Sequence, residues 1–482
     1  MRVTLFTLYI CLVFQFCCYV AFAKSLLNVV ILSQDIPLEE KPALALESAF
    51  NSAFSDLSDV KVQLLHRDFP SVTGGWTIWP LIPRLGTDFD WYLFVEPFTE
   101  VNVDQLVEFL KTQNSEESLF FGHGLVDSHP VIIHHFRGFD GVEQLVYPDF
   151  GAGVVFSRDL IDKLKSKLAE DYPGNTFAID PKHELAKLVD DLTVTKLTTN
   201  VGFCLQQTAS NCFTHYAPPY LAPNSTTCGR GITNRHVFVG VKTFSGNHKT
   251  RVVVVKRTWV KEVKFVEFFS DTPDFYIPAI DIGVPNTERG HCSKTLAILK
   301  HALEHTDQSA DIGWIIIADD DTLLSIPRLY RLLNCLPKQR KLILGERYGY
   351  GFSTDGLGGY DYPTGGAGMI FSRAAARQIV ASCQCPNDDS PDDMILGACA
   401  RRLAIPVIHS SAFHQAQPDD YAADYLQRQA PISFHKFEHI DPYEVYMNYL
   451  YEKDEILEAE KKSTWNSQHA NDLHNQHGHN EL

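Results

Sequence analysis

The sequence predicts an α/β protein of two tandem units, each built on a mainly parallel sheet, the first a degenerate copy of the second. Three observations carry that prediction. At 482 residues and 45% hydrophobic content, the chain can bury two cores of ordinary size. Strand-like apolar runs (residues 28–32, 237–241, 265–269 and 313–318) alternate with helix-like ones (327–333, 374–381 and 393–403), the order that builds parallel sheets with covering helices. The third is an internal repeat: Tyr147-Pro-Asp-Phe-Gly-Ala-Gly-Val-Val-Phe-Ser-Arg158 and Tyr362-Pro-Thr-Gly-Gly-Ala-Gly-Met-Ile-Phe-Ser-Arg373 agree at eight of twelve positions.

Two flanking blocks repeat in the same order. Residues 91–95 lead into Glu96-Pro97-Phe98-Thr99, and residues 314–318 into Asp319-Asp320-Asp321-Thr322. Downstream, Pro181-Lys182-His183 stands to Phe203-Cys204 as Pro391-Asp392-Asp393 stands to Phe413-His414, with twenty residues from His183 to Phe203 and from Asp393 to Phe413. At every block the second copy holds acids or a histidine where the first holds nothing equivalent. The first copy has kept a scaffold and lost its reactive groups.

In chain order, Met1-Arg2, an apolar stretch and Ala21-Phe22-Ala23 make residues 1–23 a secretory signal peptide, with an uncleaved anchor helix as the alternative. Residues 24–208 form the first unit. Residues 209–233 are a proline-rich linker carrying the glycosylation sequon at Asn224. Residues 234–455 form the second unit. The polar tail, 456–482, ends in His479-Asn480-Glu481-Leu482, a variant of the Lys-Asp-Glu-Leu address, which implies a retention receptor and a soluble protein of the endoplasmic-reticulum lumen. Loss of residues 1–23 removes Cys11, Cys17 and Cys18 of eleven cysteines and leaves eight, an even number suited to disulfides. A zinc reading of Cys383-x-Cys385 lacks a second pair at zinc-site spacing. A net charge of -17 without a basic run excludes nucleic acid as partner.

Asp319-Asp320-Asp321 falls where an apolar strand ends, the edge at which open α/β sheets bind ligands. Adjacent carboxylates repel unless a cation or solvent relieves them, so the triplet reads as a site for a hard divalent ion or as a solvated acidic turn. Ser390-Pro391-Asp392-Asp393 suits a helix start, with Ser390 as N-cap and Pro391 in the first turn, and equally suits a carboxylate placed as general base. His414 becomes a metal-ligand candidate only together with the aspartates. The glycines of Tyr362-Pro-Thr-Gly-Gly-Ala-Gly368 allow backbone to approach a bulky ligand or make a tight turn.

Taken together, Val241-Lys242-Thr243, Arg251, Thr258-Trp259, Phe269-Ser270-Asp271, the aspartate triplet, Thr364-Gly-Gly-Ala-Gly368, Pro391-Asp392-Asp393 and Phe413-His414 resemble glycosyltransferase family 31, the Fringe-like β1,3-glycosyltransferases, over residues 235–417. The resemblance implies two GT-A-like domains, an inverting metal-dependent transferase and a nucleotide-sugar donor. Gly345-Glu-Arg-Tyr-Gly-Tyr-Gly351, Phe413-His-Gln-Ala-Gln-Pro418 and Pro431-Ile-Ser-Phe-His-Lys436 are similar to the branch that adds glucose to O-linked fucose on thrombospondin type 1 repeats. It therefore implies UDP-glucose as donor and O-fucosylated repeat glycoproteins as partners. By the same resemblance, Asp321, Asp319 and His414 bind manganese, and Asp319 or Asp320 contacts the nucleotide sugar. Thr243, Arg251 and Asp271 line its uridine end, Gly366, Ala367 and Gly368 face sugar and acceptor, and Asp393, beside Asp392, is the base. The alternatives are transfer of N-acetylglucosamine or galactose, and a lectin or folding sensor without turnover.

Overall fold

Valine, isoleucine and aromatic residues, stiff at χ1 and suited to a pleated surface, form the strands of two sheets. A computed structural model describes residues 25–129, 131–137, 145–170, 177–205, 211–218, 228–229, 231–306 and 311–452. The N-terminal apolar segment, the sequon at Asn224 and the C-terminal tetrapeptide lie outside these residues. Among those described, no helix is long and apolar enough to cross a membrane.

The first unit contributes β1 (Ser25–Ile31), β2 (Val60–Leu64), β3 (Phe89–Val95), β4 (Thr99–Val101), β5 (Phe120–Gly122), β6 (Val154–Ser157), β7 (Phe177–Ala178), β8 (Thr198–Thr199) and β9 (Thr214–Tyr216). Its helices are α1 (Pro37–Ala53), α2 (Val103–Lys111), α3 (Arg158–Ala169) and α4 (Pro181–Thr193). The second unit contributes β10 (Val237–Lys242), β11 (Phe265–Ser270), β12 (Ala279–Asp281), β13 (Trp314–Asp319), β14 (Thr322–Leu324), β15 (Ile343–Gly345), β16 (Arg347–Tyr350), β17 (Tyr360–Pro363), β18 (Met369–Ser372), β19 (Val407–His409) and β20 (Ser433–His435). Its helices are α5 (Arg251–Arg257), α6 (Cys292–Thr306), α7 (Ile326–Asn334), α8 (Arg373–Ser382), α9 (Asp392–Arg402) and α10 (Ala423–Gln427).

The first sheet runs β2-β1-β3-β6-β5-β8, and the second runs β11-β10-β13-β18-β15-β19 with β12 added at the edge. The order is the same, and so is the pattern of parallel pairs interrupted by one antiparallel strand, β6 or β18. Ser157 and Ser372 each cap the following helix and also accept a backbone N–H from the neighbouring strand, which accounts for their place in the repeat. Gly153 and Gly368 share a left-handed φ, +84° and +94°, that a side chain would strain. Along β13, Ile315 and Ile317 face one core while Trp314, Ile316 and Ala318 face the other, so helices cover both sides.

Two sequence expectations change. The segment 209–233, expected as linker, begins inside the first unit: β9 pairs antiparallel with β4, and a Cys204–Cys212 bridge closes the turn before it. Ser390 is not the N-cap of α9; its hydroxyl donates to Asn387, and Pro391 takes the cap position. The units also meet directly. β7 of the first pairs with β16 of the second, and one core cluster runs through both.

Candidate active site

β13 delivers the aspartate triplet. Parallel pairing with β10 sets Lys242 opposite Asp319, and both lie at the carboxyl ends of their strands. Lys242 Nζ reaches Asp319 at 2.9 Å and Asp392 at 2.8 Å, so one ammonium ties the end of β13 to the start of α9. Burial would raise both carboxyls, yet the Lys242 charge holds them below the usual carboxylate range. Asp320 turns the other way and accepts from Thr243 Oγ1 at 2.6 Å and Asn247 Nδ2 at 2.9 Å. Arg251 pairs with Asp321 at 2.8 Å. At the rim, burial would raise Asp271, but Ser245 N–H at 2.7 Å and the Ser270 hydroxyl hold it low.

Asp319 and Asp321 meet His435 rather than His414. Their ligand atoms and one nitrogen of His435 all lie within 4.8 Å of one another, with His435 Nε2 3.1 Å from Asp321. The other ring nitrogen, Nδ1, lies 2.9 Å from the Gln415 carbonyl oxygen, which fixes the ring with Nε2 towards the carboxylates. A Cβ on Gly366 would stand 2.2 Å from His435 Nδ1, so the glycine is what admits the imidazole. Two carboxylates and one oriented imidazole are a donor set that fits a divalent ion such as manganese.

His414 lies outside this group. Its Nδ1 sits 3.1 Å from the Ser433 carbonyl oxygen, its ring stacks on Phe434 at 4.7 Å and meets Tyr421 edge-on, and burial pushes it down to about 3. It is a neutral clamp on β20, two residues before His435. The expected ligand role of His414 gives way because His435, and not His414, brings a ring nitrogen to the group of Asp319 and Asp321.

Asp392 and Asp393 open α9 and diverge. Asp392 is held by Lys242 and by Thr295 Oγ1 at 2.6 Å. For Asp393 the one hydrogen bond recorded is from the Met394 N–H at 2.7 Å; burial, with the Asp392 charge added, pushes it up to about 7. Cys292–Cys385 and Cys383–Cys399 staple α6, α8 and α9 around this pair, excluding the zinc reading of Cys383 and Cys385. Lys242, Thr243, Asn247, Arg251, the aspartate triplet, Asp392, Asp393 and His435 line one cleft of about 840 Å³, also walled by Tyr362, Gly365, Gly366 and Gln415. Thr322 Oγ1 donates to Gly366 O at 2.8 Å and Ala367 N–H to Gln415, which brings the glycine turn to the acids.

The Fringe-like family profile matches residues 82–216 and 232–456, most of both units. The chain belongs to the Fringe-like family. It is 41% identical over 403 residues to a mouse protein named beta-1,3-glucosyltransferase, covering 82% of this chain and 80% of that one. Identity to the human protein of the same name is 40% over 436 residues, 88% of this chain and 85% of that one. The zebrafish β-1,3-N-acetylglucosaminyltransferase manic fringe is 29% identical over 200 residues, 37% of this chain and 55% of that one. With these relatives, the Fringe-like chain is a glycosyltransferase.

Its first unit repeats the frame of this site without the chemistry. Strand register places Tyr216 opposite Thr99 where His435 stands opposite Thr322. Glu96 and Phe98 fill the positions of Asp319 and Asp321. Leu32, beyond β1, takes the place of Lys242, and Lys182 that of Asp392, so the charge pairing is inverted. His183, in the position of Asp393, stacks on His134 at 3.8 Å. Asp127, His134 and His183 come close enough to hold a cation, but His134 already spends both nitrogens on Asp127 and Asp180.

Lys242 enters the sequence expectations only as part of the Val241-Lys242-Thr243 motif, and His435, Asn247 and Thr295 are site residues that the sequence alone does not single out. His435 has no counterpart to flag it, since the repeat holds Tyr216 there. The signal for it in the sequence is the segment Pro431–Lys436, one of those similar to the glucose-adding branch, which carries a histidine.

Proposed function

We propose that this Fringe-like glycosyltransferase moves glucose from UDP-glucose to the 3-hydroxyl of O-linked fucose on thrombospondin type 1 repeats, with inversion. The observation that carries the reading is the division of labour at α9: Asp392 is neutralised by Lys242 while Asp393, raised to about 7 and without a salt-bridge partner among the described residues, faces the cleft. Identity of 40% to 41% over most of the chain to proteins named beta-1,3-glucosyltransferase supports glucose as the sugar and β1,3 as the linkage.

In this mechanism Asp393 accepts the proton of the acceptor hydroxyl as its oxygen bonds to the anomeric carbon and the bond from that carbon to the diphosphate breaks. A base titrating near neutrality is matched to the task. Attack on the face of the anomeric carbon opposite the departing diphosphate inverts the anomeric centre. Asp319, Asp321 and His435 would hold a divalent cation, whose chemistry is to neutralise the departing diphosphate as a Lewis acid. Arg251 lies beside Asp321 to meet the phosphates, Asp320 is fixed by Thr243 and Asn247 for the ribose end, and Asp271 presents a carboxylate at the rim for uridine. Gly365, where a Cβ would meet nothing nearer than 3.8 Å, leaves the floor of the cleft open to a sugar ring.

A donor screen tests this: purified chain, manganese, a folded fucosylated thrombospondin repeat, and UDP-glucose, UDP-N-acetylglucosamine or UDP-galactose. Transfer from UDP-glucose alone is expected; preferred transfer of another sugar, or activity on unfucosylated repeats, overturns it.

A further inference from the structure

The glycine that faces His435 has a counterpart in the first unit, and what faces it there comes from the second unit. A Cβ on Gly151 would meet Arg428 Nη1 at 2.9 Å, as one on Gly366 would meet His435. The frames match around these two points: Thr99 Oγ1 donates to Gly151 O at 3.0 Å, and Thr322 Oγ1 donates to Gly366 O at 2.8 Å. In the first frame Tyr216 holds the register position of His435, and the Arg428 guanidinium lies over its ring at 4.6 Å. Arg428 also forks onto Asp149, with Nε 2.7 Å from Oδ2, and lies over Tyr425 at 4.9 Å. Both partners of the pair are almost wholly removed from solvent.

We propose that the vestigial sugar-nucleotide cleft of the first unit serves as a socket for the catalytic unit, and that Arg428, seated where a cation would lie, is a positioning residue for His435. The route is a continuous stack. Lys182, in the position of Asp392, lies over the Tyr425 ring at 4.6 Å. Tyr425 stacks on Tyr421, Tyr421 meets His414, and His414 stacks on Phe434, the residue before His435. His414 grips β20 a second time, by its Nδ1 on the Ser433 carbonyl oxygen. The socket thus holds α10 at Tyr425 and its C-cap at Arg428, and the chain reaches β20 five residues later. A planar guanidinium suits the place because it pairs bidentately and stacks at once.

This inference rests on His435 belonging to the cation cluster, so the test reads cation binding directly and not sugar transfer. Removing one buried charge leaves the other unpaired and costs several kcal/mol, whereas removing both is often near neutral. The variant is therefore the double substitution Asp149→Asn with Arg428→Gln, studied in the full chain without donor. Manganese binding, followed by electron paramagnetic resonance of the free ion, should weaken about tenfold, the low end for outer partners of a metal ligand. Arg428→Lys, which keeps the charge and loses the fork, should weaken it in the same direction. Asp90→Asn with Arg158→Gln, an ion pair made within the first unit, should leave manganese binding unchanged. Wild-type affinity in both socket variants, equal weakening in the control, or no manganese binding by the wild type would each overturn the proposal. Failure of the glucose reading alone would show in the donor screen and leave these titrations untouched.

Discussion

At the scale of single residues, the site divides into groups held by partners and one group left to act. Asp393→Asn keeps shape but cannot take a proton, so kcat should fall roughly 10²- to 10⁴-fold while UDP-sugar affinity and Tm stay near wild type. Because the active form of Asp393 is the carboxylate, kcat/KM should fall as pH drops through about 7; a flat profile across that range would remove Asp393 from the role. His435→Ala and Asp321→Ala should abolish manganese binding, and Gly366→Ala should weaken it by driving a Cβ into the imidazole, whereas a Cβ at Gly365 meets nothing nearer than 3.8 Å and Gly365→Ala should bind the ion normally. Titration of manganese against the four variants checks the order. The acid triplet and Asp393 were legible in sequence because the repeat set each beside a copy that lacked it, and the glycine turn because both copies keep it. His435 was not, because strand pairing across a long sequence separation, and no local pattern, brings it to Thr322.

At the scale of elements, Phe413-His414 supports the cation cluster without joining it. The motif lies between β19 and α10 and its ring anchors β20, so it stands close to the cation cluster in function without entering it. His414→Phe keeps an aromatic plate but loses the bond to Ser433. It should weaken manganese binding less than His435→Ala does, and the pH dependence of kcat/KM should be unchanged, since Asp393 is untouched. The strand order was predicted only as "mainly parallel"; the antiparallel β6 and β18 carry apolar runs that period and composition cannot orient. β9 was hidden for a different reason. Three residues beside a proline-rich stretch read as linker, and only pairing with β4 makes them a strand.

Across the whole molecule, the junction between units stores a pH dependence of stability. Glu346, which accepts the Gln415 N–H in a cavity of about 110 Å³ between the units, is pushed up to about 8 by burial. The folded chain keeps a proton that the unfolded chain releases above its own pKa of about 4.3. This group therefore costs nothing below that value and lowers stability as pH rises from there to about 8. Glu346→Gln, with no charge to bury, should raise Tm at pH 8 by roughly 2–4 °C for each kcal/mol recovered and leave it nearly unchanged at pH 4. Calorimetry of both proteins at the two pH values decides this. The bridges follow a different division. Cys204–Cys212 lies in the first unit, while Cys228–Cys335, Cys292–Cys385 and Cys383–Cys399 belong to the second and its approach, so none spans the junction. Each half closes its bridges among its own cysteines, and the two that tie α6, α8 and α9 together around Asp392 and Asp393 draw on nothing outside the second. The clamp on the acid pair is therefore local: it is made of covalent links that the partner unit neither supplies nor completes.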